Sequence, residues 1–125
     1  MTDQALVLVA DDYDDSAQLL ALLLTLERDY STIAVKDGAE ALSVALARKP
    51  LAALLDIDMP GMQGTEVAQR LREKRGSSIL LVAISGAADM ATLARLGVFD
   101  LVFQKPLKDE DRAQVEKHID ERIGR

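Results

Sequence analysis

Cysteine is missing from all 125 residues, which excludes disulfides, thiolate metal sites and a cysteine nucleophile. Aromatic residues make up only 3% and tryptophan is absent, so a core has to be built from Leu, Val, Ile and Ala. Basic residues are outnumbered, 15 Lys and Arg against 21 Asp and Glu, for a formal net charge of −6. That balance argues against direct nucleic-acid contact, because phosphate binding needs a basic face. No apolar run approaches the roughly 18 residues of a membrane span. The N-terminus, MTDQALVLVADD, has no basic region ahead of its short apolar stretch, so it does not read as a signal peptide. What remains is 49% hydrophobic and 29% charged, ordinary values for a globular protein. The expectation is one soluble cytoplasmic domain over residues 1–125, without membrane insertion and long enough for a real core.

Five short apolar runs alternate with helical patterns. The runs are Ala5–Ala10, Ser31–Val35, Leu51–Leu55, Ile79–Ile84 and Phe99–Phe103. Their hydrophobicity is continuous rather than alternating, the pattern of parallel strands buried on both faces. Helical spacing falls over Asp14–Arg28, Gly38–Lys49, Gly64–Arg75, Ala87–Leu96 and Lys108–Ile123. An Asp/Ser cluster suited to capping opens the first of these. Gly76 and Gly97 follow the third and fourth as helix-ending glycines. The last has acids at its start, bases later, and an apolar stripe of Val115, Ile119 and Ile123. The order βαβαβαβαβα predicts an α/β fold with right-handed crossovers and helices on both faces of one sheet.

Ligands of open parallel sheets bind outside the carboxyl ends of the strands, so the residues just past each run matter most. Asp11 and Asp12 follow the first run, Asp56 and Asp58 the third, Ser85-Gly86 the fourth and Lys105-Pro106 the fifth. Each alone reads as an ordinary turn or helix cap. Together they place four carboxylates, one hydroxyl and one ammonium on one edge of the sheet. Two carboxylates about 4 Å apart repel by roughly 4 kcal/mol at an effective dielectric of about 20. Such a cluster shifts its pKa values or holds a cation. With oxygen ligands only, the fitting ions are Mg2+ or Mn2+, with Ca2+ a further option. A metal beside a lysine and a hydroxyl handles phosphate, and a carboxylate there can be the nucleophile that becomes an aspartyl phosphate.

The set Asp11-Asp12, LDIDMPGMQG (Leu55–Gly64), Ser85 and Lys105-Pro106 resembles the receiver domain of two-component response regulators, over essentially the whole chain. The resemblance implies a doubly wound, flavodoxin-like five-stranded parallel sheet of order 2-1-3-4-5. It implies Asp56 as phosphoacceptor from the phosphohistidine of a histidine kinase or histidine phosphotransfer protein. Asp11, Asp12 and Asp56 would bind Mg2+ together with Asp58, the last through its backbone carbonyl. Lys105 would pair with Asp56 and then with a phosphoryl oxygen, and Ser85 would bind another. It also implies a cis Lys105–Pro106 bond, although X-Pro bonds in general are cis only about 5–6% of the time. Such a domain catalyses its own phosphorylation and dephosphorylation without being a metabolic enzyme.

The chain departs from that pattern at three places. Val102 stands where the family usually has Tyr or Phe, and strand alternation sends neighbouring Phe103 to the opposite face. Asp58 adds an anion two residues after the acceptor, and Gly86 makes the loop after Ser85 more mobile than alanine would. The first helix is apolar all round over Ala17–Leu26, which fits either deep burial or a surface that docks the phosphodonor. His118, the only histidine, reads as a solvated helix residue. Two rivals stand beside the receiver reading. One is a receiver-like interaction module that is never phosphorylated. The other rests on Asp56-Ile57-Asp58, which resembles the Asp-x-Asp motif of haloacid dehalogenase-type phosphatases. Those carry the motif on their first strand, with Thr or Val where Pro60 stands here.

Overall fold

The computed structural model describes residues 5–86 and 90–124, with Asp14 described by its backbone alone. The elements are β1 (Leu6–Ala10), α1 (Asp14–Arg28), β2 (Ser31–Val35), α2 (Gly38–Arg48), β3 (Ala52–Asp56), α3 (Gly64–Arg75), β4 (Leu80–Ser85), α4 (Met90–Arg95), β5 (Leu101–Gln104) and α5 (Asp109–Arg122), with a single 3-10 turn at Gly76–Ser78. The strands form one sheet of order β2-β1-β3-β4-β5, and every neighbouring pair is parallel. This is the doubly wound α/β architecture read from the sequence.

Period-two alternation divides the core between the two faces of the sheet. Val7, Val9, Leu54 and Val82 point to one face, where they meet Leu24, Tyr30, Val115 and Ile119 beneath α1 and α5. Leu8, Ala53, Leu55 and Leu81 point to the other, against Ala41 and Ala45 of α2 and Val67, Ala68 and Leu71 of α3. A third cluster of Ile57, Ala83 and Leu93 seats α4, with Phe99 and Val102 packed on it. All residues of β3 and β4 are buried, whereas the outer strands β2 and β5 are mostly half-buried. Burial from both sides is why the central runs are unbrokenly apolar.

Several boundaries shift from expectation for local reasons. Asp56 and Ser85 belong to their strands, since Asp56 pairs with Ile84 and Ser85 with Gln104; the ladder uses backbone groups and continues under polar side chains. The fifth strand starts at Leu101 rather than Phe99. The preceding residues are held instead by Arg72, whose guanidinium donates to the Val98 carbonyl at 2.6 Å and to Asp100 Oδ2 at 3.0 Å. Asp100 Oδ2 in turn accepts the Leu81 N–H at 2.8 Å. Helix α1 is not capped by a side chain: Tyr13 occupies the N-cap position, and its N–H donates to Asp11 Oδ1 at 2.9 Å. Helix α2 does have a cap, Asp37 Oδ1 accepting the Glu40 N–H at 2.7 Å. The expected fourth helix, Ala87–Leu96, is described from Met90 to Arg95; its first three positions, like the loop whose mobility Gly86 was expected to raise, lie outside the described residues. Ile123, the last residue of the expected α5 stripe, is exposed while Val115 and Ile119 are fully buried.

The burial pattern sets two stabilities apart. Leu54→Ala, at a fully buried site on the central strand, is expected to cost about 2–5 kcal/mol. Leu26→Ala, at a side chain that is 72% exposed, should change stability by less than about 0.5 kcal/mol. Urea unfolding monitored by circular dichroism measures both.

Candidate functional site

In a parallel sheet all carboxyl ends share one edge. The chain leaves β1 toward β2 on one side and β3 toward β4 on the other, so the crevice opens outside β1 and β3. Asp56, the last residue of β3, is only 3% exposed at the floor of this crevice. Its Oδ2 accepts from Lys105 Nζ at 3.0 Å and its Oδ1 from the Asp58 N–H at 3.2 Å. Lys105 Nζ also lies 3.5 Å from Asp11 Oδ2. Asp11, Asp12 and Asp56 each offer a carboxylate oxygen, all within 4.8 Å of one another. Asp12 is exposed and Asp11 partly buried, so the group opens toward solvent from a buried base. Hard oxygen donors converging in this way suit a divalent cation such as Mg2+.

The backbone explains why these side chains converge. Ser85, 1% exposed at the end of β4, accepts the Lys105 N–H on its carbonyl at 2.8 Å, which extends the β4–β5 ladder to the lysine. The Lys105 stem then passes Gly86, where an added Cβ would meet Lys105 Cδ at 3.8 Å. The Lys105–Pro106 bond is cis, as the resemblance implied. After β3 the chain turns at Pro60-Gly61, with Gly61 at φ 76°, a conformation glycine adopts without strain. It returns so closely that a Cβ on Gly64 would lie 2.4 Å from the Asp56 carbonyl oxygen. Helix α3 therefore begins directly against the end of β3.

Burial pushes the Asp56 carboxyl up to about 6, the attraction of Lys105 offsetting part of the rise and the Asp11 charge adding to it. Burial pulls the Lys105 ammonium down, but the Asp56 and Asp11 carboxylates outweigh it and the net direction is up. The two directions agree physically, because Asp56 is sealed in while Lys105 is one-third exposed.

Asp58 sits differently from the other acids. Its side chain is exposed and its carboxylate is not one of the three that converge; its backbone N–H is what meets Asp56. Val102 faces the α4 cluster while Phe103 lies in the opposite core under α1 and α5, as alternation predicts. Leu19, Leu22 and Leu26 of α1 are exposed while Leu24 is fully buried. Leu19, Leu20 and Leu23 line a groove of about 470 Å3 with Pro106, Leu107 and Arg112, and Asp11 and Lys105 border it. Among the described residues, His118 bonds within its own helix, Nδ1 to the Gln114 carbonyl at 2.8 Å. Sequence reasoning missed the steric demand at Gly64 and the Arg72 clamp, since neither a helix-opening glycine nor a lone arginine signals its spatial neighbour.

The family model for the response regulator receiver domain matches residues 7–117. The chain belongs to the response regulator receiver domain family. It is 32% identical over 121 residues to the DNA-binding response regulator MtrA of Mycolicibacterium smegmatis, covering 92% of this chain and 52% of that protein. It is 33% identical over 109 residues to the response regulator PleD of Caulobacter vibrioides, covering 84% of this chain and 24% of that one. The receiver thus spans about half the length, or less, of these relatives. Its fold is similar to that of a CheY-like receiver domain protein from Methanospirillum hungatei, with a TM-score of 0.87 at 22% identity and 98% of both chains covered. The receiver domain of the response regulator NarL from Mycobacterium tuberculosis is similar at a TM-score of 0.81 and 27% identity, covering 99% of this chain and 100% of that one. The family places this receiver in two-component signalling. Among the described residues, no helix is long and apolar enough to cross a membrane.

The Asp56 shift carries a pH dependence whose sign follows from its direction. The folded-state value, about 6, lies above the ordinary 3.8, so the folded receiver keeps a proton that the unfolded chain has released. Between about pH 4 and pH 6 the stability of the metal-free receiver therefore falls as pH rises. A carboxyl 13C NMR titration without divalent cations should find Asp56 titrating near 6, and the substitution Asp56→Asn should remove that part of the stability–pH profile.

Proposed function

We propose that this receiver accepts a phosphoryl group on Asp56 from the phosphohistidine of a histidine kinase or histidine phosphotransfer protein, with Mg2+ as cofactor and Mn2+ as a substitute. The observation that supports this best is the meeting of Lys105 Nζ with Asp56 Oδ2 at 3.0 Å inside the three-acid group. An Asp56 oxygen attacks phosphorus as the P–N bond to the donor imidazole breaks, so one P–O bond replaces one P–N bond. Asp11, Asp12 and Asp56 would hold the ion, with the Asp58 carbonyl as a further ligand. Bound there, it neutralises phosphoryl oxygens and draws off the negative charge that repels the donor. Lys105 exchanges its bond to the carboxylate for one to a phosphoryl oxygen, and Ser85 binds another. Water later attacks phosphorus as the P–O bond to the carboxylate breaks, which releases inorganic phosphate and returns Asp56 to its resting state.

The aspartyl phosphate adds charge near −2 at the crevice, which biases the loop after β4 and with it the face formed by α4, β5 and α5. With Val102 rather than an aromatic side chain on β5, the change is carried by the Ser85 loop and not by a ring rotamer. The groove and exposed leucines of α1, contiguous with Lys105, form the surface where the donor docks. We place residues 1–125 as a single cytoplasmic receiver, free-standing or part of a longer regulator, acting through protein contacts rather than direct nucleic-acid contact. An interaction module that is never phosphorylated is the second reading, favoured by Val102 alone.

Incubation with acetyl phosphate and Mg2+ should add one phosphoryl group by intact mass, and Asp56→Ala should abolish the gain; an unmodified wild-type chain would support the second reading. Leu19→Lys with Leu22→Lys should slow transfer from a phosphohistidine donor at least tenfold and leave the acetyl phosphate rate unchanged, as quench-flow would record. Beryllofluoride with Mg2+ should shift amide resonances along α4, β5 and α5, and unmoved resonances there would exclude that face.

A further inference from the structure

Gly38 opens α2, yet nothing about the helix itself asks for glycine. Its backbone is not among the glycines with positive φ, which are Gly61, Gly76, Gly97 and Gly124. Asp37 already supplies the capping bond, and helix propensity ranks alanine above glycine. What the position lacks is space. A Cβ on Gly38 would lie 1.8 Å from the Met62 carbonyl oxygen, 2.7 Å from its carbon and 2.9 Å from Met62 Cβ. Two of these three atoms are backbone, so no rotamer change relieves the overlap.

Met62 belongs to the β3–α3 loop, residues 57–63, which contains Asp58. At the far end of that loop Gly64 abuts Asp56, its Cβ position only 2.4 Å from the Asp56 carbonyl oxygen, and the Gly64 N–H donates to the Ile57 carbonyl at 3.0 Å. The loop is thus held between the first residue of α3 and the first residue of α2. Within it, the Asp58 N–H donates to Asp56 Oδ1 at 3.2 Å, so displacement of the loop turns the very carboxylate that Lys105 grips from the other oxygen.

We infer that Gly38 is a positioning residue for phosphoryl transfer: the N-terminus of α2, by direct backbone contact with Met62, holds the β3–α3 loop in register with the Asp56 carboxylate. The inference rests on reading Asp56 as the acceptor. Helix α2 supplies no side chain to the three-acid group or to Lys105, yet on this account it is a lever on the reaction. A shift of its first turn relative to the sheet alters the rate at Asp56.

The test compares Gly38→Ala with Asp37→Ala, which loses the cap of the same helix without adding an atom against Met62. Ala41→Val, at a fully buried α2 site, presses the helix outward by overpacking and serves as a second route should Gly38→Ala not fold. Amide resonances of residues 57–63 and the rate of phosphorylation by acetyl phosphate, per folded protein at saturating Mg2+, are read for each. Gly38→Ala should displace the loop resonances and slow phosphorylation at least tenfold, Ala41→Val should do both to a smaller degree, and Asp37→Ala should keep its rate within twofold of wild type. Loop resonances or rates in Gly38→Ala that match Asp37→Ala overturn the inference, as does a displaced loop with an unchanged rate. If Gly38→Ala does not fold, Ala41→Val with wild-type loop resonances or rate overturns it too. A wild-type receiver that takes no phosphoryl group instead overturns the assignment of Asp56, and the loop resonances still judge the contact.

Discussion

One ammonium faces three carboxylates at the end of a buried parallel sheet, and much of the molecule is arranged around that imbalance. Lys105 reaches both Asp56 and Asp11, at 3.0 and 3.5 Å, but a single positive charge cannot neutralise three negative ones. Asp56 bears the consequence, because β3 is covered by helices on both sides and its last side chain has almost no water to turn to. Its carboxyl is pushed up to about 6. A site whose charges do not cancel at rest carries an electrostatic cost that a divalent cation can relieve. Residues that oppose folding in this way are expected where the chain performs chemistry.

The surrounding fold supplies rigidity where that geometry needs it and leaves slack where a signal would travel. The two large cores lock β1, β3 and β4 from both faces, which fixes Asp11, Asp56 and Ser85 relative to one another. Glycines at the starts of α2 and α3 let backbone approach backbone, so the β3–α3 loop is confined by main-chain contacts. On the far side, the guanidinium of Arg72 anchors the turn before β5 through the Val98 carbonyl and Asp100. The short helix α4 packs on a small cluster instead of the main core.

Much of this was legible in the chain. Continuous apolar runs identified β3 and β4 because burial on both faces removes the alternation a one-sided strand would show. The acids after β1 and β3, Ser85 and the lysine after β5 could be placed on one edge because parallel topology puts every carboxyl end there. The boundaries were less legible. Asp56 and Ser85 look like the first residues of loops, but ladder bonds ignore side-chain polarity. Phe99 looks like strand, yet it is diverted by an arginine 27 positions earlier in the chain. The steric roles of Gly38 and Gly64 were invisible, since each is defined by an atom more than five residues away. The capping expected of the Asp/Ser cluster failed at α1 because Asp14, Asp15 and Ser16 lie inside the helix and Tyr13 takes the N-cap position.

The most direct test of the account is whether the three carboxylates bind one divalent cation in competition with a proton. Isothermal titration of Mg2+ at pH 6, repeated in two buffers of different ionisation enthalpy, counts both the ions bound and the protons released. The account predicts one Mg2+ per chain, with proton release near pH 6 that fades by pH 8 and with affinity sharply weakened in Asp12→Asn. No saturable binding, or binding that neither releases protons nor depends on Asp12, would contradict it.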